Sequence, residues 1–341
     1  MISVSQAPLQ QEPPARIRLP EVAEWRAAVD PFEAPSTPRA LRQLVDTLVP
    51  VALLWLAMSW VAPQSIWLAL PLAALTGLVL VRAFILFHDC CHGSFFASPR
   101  WNTWTGVVIS LLVWTPFHHW RWEHARHHAS SGNLDQRGLG DVWTMTVEEY
   151  RRAPLRRRLA YRFARNPFVL FLLAPLYLFA YQQRMASPKA NRRVRRSVRW
   201  TNLALVAKAV LFSLWLGPWT YLALELTAIH FAAAAGIWLF YVQHQYQDVY
   251  WQRGNDWNYT AAALEGSSFY NLPPILRWFS GNIGYHHLHH LSPRIPNYKL
   301  VRCHRSSPHF EQVRPLTLWR SLRSMHLHLW DEERGRLVGL G

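Results

Sequence analysis

The stretch HARHH at residues 124–128 places histidines at the first, fourth and fifth positions of a five-residue pattern. HHLHH at 286–290 repeats these positions, and HDCCH at 88–92 has histidines at its two ends. On an α-helix, residues i, i+3 and i+4 lie on one side of the helix. Each of the three stretches therefore predicts a helix that presents two or three imidazoles to the same region.

Imidazole is a good ligand for first-row transition metals such as iron and zinc, provided that it is neutral. His244 is an isolated histidine just after the last long apolar segment. Because it has no patterned partner, its position is compatible with either a ligand or a bystander. With it the candidates number nine, which is more than one ion can bind, so we predict two metal ions that share them. The candidate ligands are His88, His92, His124, His127, His128, His244, His286, His289 and His290.

Other histidines lack this spacing, and we expect them not to bind metal. Within the third pattern, His287 should point about 100° away from its neighbours on the helix. The histidines without this spacing also include His118, His119, His230, His326 and His328.

A metal-bound imidazole normally donates its second ring N–H to a carboxylate or carbonyl, which holds the ring in place. Four acidic residues close to the patterns in sequence are candidates for this role, although each could equally be a solvated surface charge. They are Asp89, Glu123, Asp135 and Asp141.

Long apolar segments indicate an all-α polytopic membrane protein. A membrane-spanning helix needs about 20 mostly apolar residues. The chain of 341 residues is 51% hydrophobic, although long basic runs bring its mean hydropathy to −0.03. Four segments are predicted to span a membrane: 44–62, 66–87, 202–217 and 219–242.

Two shorter apolar runs, 105–117 and 168–181, are predicted to be interfacial or re-entrant. The second has arginine-rich sequence on both sides, and the positive-inside rule places such short flanks in the cytoplasm. The uncharged turns at 63–65 and 218 would then be the outer tips. The prediction is two transmembrane helical hairpins in a bacterial inner membrane, with a cytoplasmic helical cap that carries the histidines.

The predicted membrane topology accounts for the large positive net charge. The formal net charge is +16, from 36 Lys and Arg against 20 Asp and Glu. The basic residues flank apolar segments, where anionic lipid head groups favour them, so nucleic acid is not the expected partner. Three cysteines are too few for a disulfide scaffold and are expected to be reduced.

The predicted organisation is an N-terminal arm, one membrane domain and a short tail. Six prolines before residue 39, and no apolar core of a signal peptide, predict a disordered arm over 1–40. The domain is expected over 41–335 and the tail over 336–341.

Three stretches of the sequence resemble the integral-membrane fatty acid desaturase family, especially its bacterial acyl-lipid branch. They are HDCCHGSFF, HARHHASSGNLDQRGLGDVWTMTVEEY and NIGYHHLHHLSPRIPNY, and the resemblance extends over roughly residues 40 to 335. It implies that the three histidine boxes ligate two irons, and that a further histidine after the fourth spanning helix, here His244, joins them. The third box begins with His286 rather than the Gln of the desaturases fused to cytochrome b5, so an external ferredoxin-like electron donor is implied.

The predicted reaction is an O2-dependent desaturation, with two Fe ions as cofactor, O2 as co-substrate and an acyl chain of a membrane lipid as substrate. One alternative is a hydroxylase or ketolase on the same scaffold, acting on alkanes or carotenoids. Another is a metal transporter or sensor without catalysis. A transporter would need ionisable ligands within the spanning segments, and the patterned histidines lie outside those segments.

Overall fold

The computed structural model describes residues 17–138 and 140–340, and they are mostly helical. The α-helices are α1 Val22–Glu33, α2 Thr37–Val61, α3 Ile66–His92, α4 Pro99–Ser110, α5 Phe117–Ser130, α6 Val147–Arg152, α7 Leu155–Arg165, α8 Ala174–Leu176, α9 Arg192–Leu216, α10 Pro218–His244, α11 Tyr259–Leu264, α12 Pro274–Phe279, α13 His286–Leu291, α14 Asn297–His304, α15 Pro308–Glu311 and α16 Leu318–Arg323. Wide π-helical turns at Val169–Leu173 and Tyr177–Tyr181 flank α8.

Helix α3 is the centre of the apolar part of the molecule. It packs against α2 on one side and α10 on the other, and its C-terminal half is buried almost continuously. Gly77 lets α10 come close, because a Cβ atom there would lie 2.5 Å from the Ala228 carbonyl oxygen. The close contact between α3 and α10 places their C-terminal ends, His92 and His244, at the same end of the helix bundle.

By length and composition, three helices of the described residues could cross a membrane: α2, α3 and α10. They contain three of the four predicted spans. The predicted span 202–217 lies in α9, which does not meet the same criteria because arginines occupy its first two turns and Lys208 lies further along. The count of two hairpins therefore stays a prediction.

The segment predicted to be re-entrant, 168–181, belongs to a bent helical unit. Leu155–Arg165 and Val169–Arg184 meet at 61°, the geometry of either a broken span or a re-entrant loop. The other short apolar run, 105–117, is divided between the end of α4, a turn and the first residue of α5. Neither run forms a single long straight helix.

The described residues also form five short strands in two sheets. The strands are β1 Met145–Thr146, β2 Phe269–Asn271, β3 Pro315–Thr317, β4 Leu329–Asp331 and β5 Arg336–Val338. β4 lies between β1, to which it is parallel, and β5, to which it is antiparallel. β2 and β3 form a second, parallel pair. The β1–β4 and β2–β3 pairs each join segments that are more than 40 residues apart.

Two boundary predictions need correction. The disordered arm is wrong for Val22–Glu33, which forms α1, because Trp25 and Val29 lie one helical turn apart and are both buried against α13 and α14. Residues 1–16 of that arm lie outside the described residues. The predicted tail is wrong for Arg336–Val338, which forms β5 and buries Leu337.

Candidate metal centre

Four helices carry the nine predicted histidines to one place. The last turn of α3 supplies His88 and His92, and Gly93 ends that helix in a left-handed conformation (φ 74°) directly after them. Helix α10 ends at His244. The other six histidines lie on α5 and α13: His124, His127, His128, His286, His289 and His290.

These histidines form two adjacent groups, within each of which the ligand atoms lie within 4.8 Å of one another. The five-histidine group contains His88, His92, His124, His128 and His289. The four-histidine group contains His127, His244, His286 and His290. The rings of His128 and His290 stack across the boundary with centroids 4.2 Å apart, so the groups share one wall.

Helices α5 and α13 divide their histidines between the groups in opposite ways. On α5 the i and i+4 residues, His124 and His128, join the five-histidine group, while the i+3 residue His127 joins the other. On α13 the i and i+4 residues join the four-histidine group, and the i+3 residue His289 joins the five-histidine group. The i+3 side chain points about 100° away from i+4, so one helix can serve two ions.

The nitrogen separations fit metal ligation. The Nε2 atoms of His124 and His88 are 3.1 Å apart, and those of His289 and His128 are 3.0 Å apart. In the other group, the Nε2 of His244 lies 3.2 Å from that of His127 and 3.0 Å from that of His286. Two nitrogens bound at right angles to one ion, each about 2.1 Å from it, lie about 3 Å apart.

Hydrogen bonding among the imidazoles does not account for these contacts. A neutral imidazole has one N–H, and a single nitrogen such as His124 Nε2 cannot serve both His88 and His128. The Nε2 atoms of His92 and His290 are buried without a hydrogen-bond partner among the described residues. Buried polar atoms without partners are rare in folded proteins, so the residues present fit two metal ions.

Burial favours the neutral form of five of the ligands. Desolvation, followed by the charges of neighbouring imidazoles, lowers the pKa well below the ordinary value of 6.5 for the cap histidines His124, His128, His286, His289 and His290. A neutral ring keeps the lone pair that metal binding requires.

Acceptors outside the two groups orient three of the rings. Asp89 Oδ1 lies 3.2 Å from His88 Nδ1, and Asp141 Oδ1 lies 2.9 Å from His127 Nδ1. His244 Nδ1 donates to the Gly266 carbonyl oxygen at 3.1 Å. Since these oxygens accept, each Nδ1 carries the proton and each Nε2 faces the metal site with its lone pair.

The other two predicted acidic partners do not contact the nine histidines. Glu123 extends to the bystander His119, with Oε1 3.5 Å from its Nε2. Asp135 forms an ion pair with Arg253 at 2.9 Å and accepts from the Gly254 N–H. The prediction of a supporting role is therefore wrong for Glu123 and Asp135, because closeness in sequence did not bring their side chains towards the groups.

The histidines predicted to be bystanders lie outside both groups. His287 is fully buried but faces His304, with its Nε2 3.2 Å from the Nδ1 of that residue. His119 accepts from the Ser187 N–H at 3.4 Å. The others, His118, His230, His326 and His328, are likewise absent from the groups found among the described residues.

A buried amide that the sequence patterns did not single out holds Asp89 in place. The backbone N–H and the Nδ2 of Asn297 donate to Asp89 Oδ2 at 2.7 and 2.8 Å. Gln43, on α2, exchanges two hydrogen bonds with the Asn297 side chain, at 2.8 and 3.1 Å. The only sequence signal was the position of Asn297 in the stretch SPRIPNY, next to the third histidine box.

Aromatic side chains border both groups. Trp120 stacks on His124 with ring centroids 4.1 Å apart. Phe240 lies beside the four-histidine group, 5.3 Å from His127 and 5.4 Å from His244 between ring centroids. These rings place apolar surface beside the ligands.

The fold and site define a class of protein: a helical membrane protein with a histidine-rich centre that can hold metal. A model of the fatty acid desaturase family matches residues 65–321, three quarters of the chain. The chain therefore belongs to the fatty acid desaturase family, whose members are oxidoreductases of lipid metabolism.

Individual relatives agree with the family. The chain is 43% identical to a fatty acid desaturase of Bacillus subtilis (strain 168), over 90% of this chain and 87% of the relative. It is 26% identical to an sn-1 oleoyl-lipid 12-desaturase of Synechocystis, over 79% of this chain and 78% of the relative. It is 28% identical to a chloroplastic sn-2 acyl-lipid omega-3 desaturase (ferredoxin) of Arabidopsis thaliana, over 71% of this chain and 54% of the relative.

Proposed function

We propose that this fatty acid desaturase uses two histidine-ligated irons and O2 to introduce a cis double bond into acyl chains of membrane lipids. The observation that carries the proposal is the division of nine buried or half-buried histidines into two adjacent groups with ligand spacing. Each group would hold one ion, with five and four imidazoles respectively.

When bound, the irons supply the reduction of O2 and the removal of hydrogen from an unactivated CH2 group. The balance is one O2, two electrons and two protons from the donor and solvent, and one hydrogen from each of two neighbouring carbons. The products are an alkene and two molecules of water.

The residues of this chain have three tasks in that reaction. Asp89, Asp141 and the Gly266 carbonyl hold the proton on Nδ1 of three ligands, which directs Nε2 to the metal. Trp120 and Phe240 provide apolar walls beside the ligands. The wide contact between α3 and α10 holds both groups at one end of the bundle.

The proposed setting is a bacterial inner membrane with the active site on the cytoplasmic side. Two helical hairpins would form the membrane part of the protein, and the cap around the histidines would lie in the cytoplasm. Support comes from the arginine-rich flanks of 168–181 and from the histidines at the C-terminal ends of α3 and α10.

The proposed substrate and donor follow from the membrane location and the charge. An acyl chain esterified in lipid can enter laterally from the bilayer. The net charge of +16 suits an acidic, ferredoxin-like donor, because opposite charges steer association. Two relatives, an oleoyl-lipid desaturase and an acyl-lipid desaturase named for ferredoxin, agree with this choice.

Metal analysis and lipid mass spectrometry test the proposal. Protein purified in detergent should contain two irons per chain, and one zinc without iron would refute the di-iron centre. In a bacterial host with a ferredoxin and its reductase, lipids should gain acyl chains that are two hydrogens lighter. Chains that are one oxygen heavier would instead identify a hydroxylase on the same scaffold.

A further inference from the structure

Helix α9 carries a row of arginines that the desaturation reaction does not use. Four of them line a surface groove of about 500 Å³ together with Trp200. They are Arg192, Arg195, Arg196 and Arg199, at positions i, i+3, i+4 and i+7 of one helix face. The opposite face, with Val194 and Val198, is buried.

None of these four arginines forms an ion pair with an acidic side chain among the described residues. Arg195 is held by the chain itself, since its Nε and Nη2 donate to the carbonyl oxygens of Ala190 and Pro188 at 2.9 and 2.7 Å. Arg192, Arg196 and Arg199 are exposed and form no ion pair with the part of the chain that is described. The exposed Arg42 of α2 differs, because Asp46 lies 3.4 Å from its guanidinium.

The arrangement is unfavourable for an isolated helix. Like charges three or four residues apart repel one another. The arginines also lie in the N-terminal turns of α9, at the positive end of the helix dipole. The first turn contains no acidic residue that would offset this charge. A bound anion relieves both effects.

The same face of α9 becomes apolar after the arginines. Leu203, Val206, Val210 and Leu214 continue it within about 40° of the row and are all exposed. Trp200, at the boundary, is 62% exposed, and tryptophan prefers the interface between membrane and water. The basic part is about 10 Å long and the apolar part, from Leu203 to Leu214, is about 17 Å long, close to a head-group layer followed by one leaflet of a hydrocarbon core.

We propose that this face of α9 binds an anionic phospholipid. The phosphate lies between Arg192, Arg196 and Arg199, the Trp200 ring lies at the level of the glycerol, and an acyl chain follows the apolar residues. A soluble acidic partner such as an electron donor matches only the arginines, because the apolar surface begins directly after them. The continuity of the two surfaces on one helix favours a lipid.

The test uses the full chain in vesicles of phosphatidylcholine containing one third phosphatidylglycerol. After extraction in mild detergent, mass spectrometry measures the lipids that remain with the protein. The wild type should be enriched in phosphatidylglycerol over the bulk ratio, and R192Q/R196Q/R199Q should lower this enrichment by about 5-fold or more, as expected for losing charges at an anionic surface. R42Q, which removes an exposed arginine with an acidic partner, should behave as the wild type.

Two further measurements make the result decisive. If the triple variant has a lower iron content or unfolding temperature, R196Q alone is compared, and it should lower the enrichment less than the triple variant but more than R42Q. Binding of an acidic ferredoxin is measured in vesicles of phosphatidylcholine alone. Unchanged lipid enrichment in the arginine variants overturns the proposal, and a loss of ferredoxin binding in the same variants would assign the arginines to the donor.

Discussion

Asp141 should control the metal affinity of the four-histidine group and leave the five-histidine group intact. Its Oδ1 accepts from His127 Nδ1 at 2.9 Å, in a site where the Asp141 side chain is 8% exposed. A hydrogen bond to a charged group contributes about 1.5–3 kcal/mol, so its loss in Asp141→Ala corresponds to about 10- to 100-fold in metal affinity. Removal of such partners of metal-bound histidines generally costs about the same factor.

Asp141→Asn should have a smaller effect. The amide oxygen can still accept the His127 N–H, so the ring keeps its tautomer, but the bond falls to the neutral range of about 0.5–1.5 kcal/mol. The difference of about 1 kcal/mol corresponds to about 5-fold in affinity. The order of iron retention should therefore be wild type, Asp141→Asn, Asp141→Ala.

The assay is the iron content of purified protein after equilibration with increasing concentrations of a chelator. Asp141→Ala should lose one of its two irons at a chelator concentration about 10- to 100-fold lower than the wild type, and should lose the other at the wild-type concentration. Asp135→Asn is the matched control, because Asp135 is close in sequence but pairs with Arg253. Equal iron retention in Asp141→Ala and the wild type, or an equal loss in Asp135→Asn, would refute the reasoning.

Three other predictions concern the ligands, the buried charges and the topology. His289→Ala should lose iron and product because it removes a ligand, whereas His287→Gln, which alters a ring that faces His304, should keep both. Iron analysis and lipid mass spectrometry compare the two variants, and equal losses would contradict our assignment of His289 as a ligand and His287 as a bystander. Lys208→Met removes the cation 2.5 Å from Glu225 and leaves a buried carboxylate that keeps its hydrogen bond from Trp114 Nε1 but has lost this counter-ion, which should destabilise the protein by about 3–5 kcal/mol. Thermal unfolding in detergent should show a much smaller change for Arg42→Gln, whose exposed ion pair contributes about 0–1 kcal/mol, and similar changes would argue against a buried pair. Topology reporters fused after Pro167 and after Pro188 should report the same compartment, because both flanks of 168–181 are arginine-rich; opposite compartments would mean that the bent segment crosses the membrane.

The sequence alone determined the features that depend on local spacing. An i, i+3, i+4 pattern of histidines has one geometric meaning on a helix, so HARHH and HHLHH predicted two helices with imidazoles on one side, and α5 and α13 are those helices. Apolar length likewise predicted the segments now within α2, α3 and α10. Exclusion of His287 from the groups followed from the same helical angle.

Sequence reasoning failed where long-range contacts decide local structure. The prolines before residue 39 indicated an extended arm, yet Trp25 and Val29 have a buried surface to pack against, and α1 forms on it. Glu123 and Asp135 are as close to the histidines in sequence as Asp141, but only the direction of each side chain in the fold distinguishes them. Asn297 is more than 200 residues from Asp89 and supports it through hydrogen bonds that no spacing predicts.

The division of the histidines into five and four belongs to the tertiary structure alone. A sequence pattern states which imidazoles share a side of their own helix, but it contains no information on the angle at which another helix approaches. The packing of α3 against α10, together with the positions of α5 and α13, places His127 in one group and its neighbour His128 in the other. Local periodicity determined the imidazoles that each helix offers, and the packing of the helices determined the group that each imidazole joins.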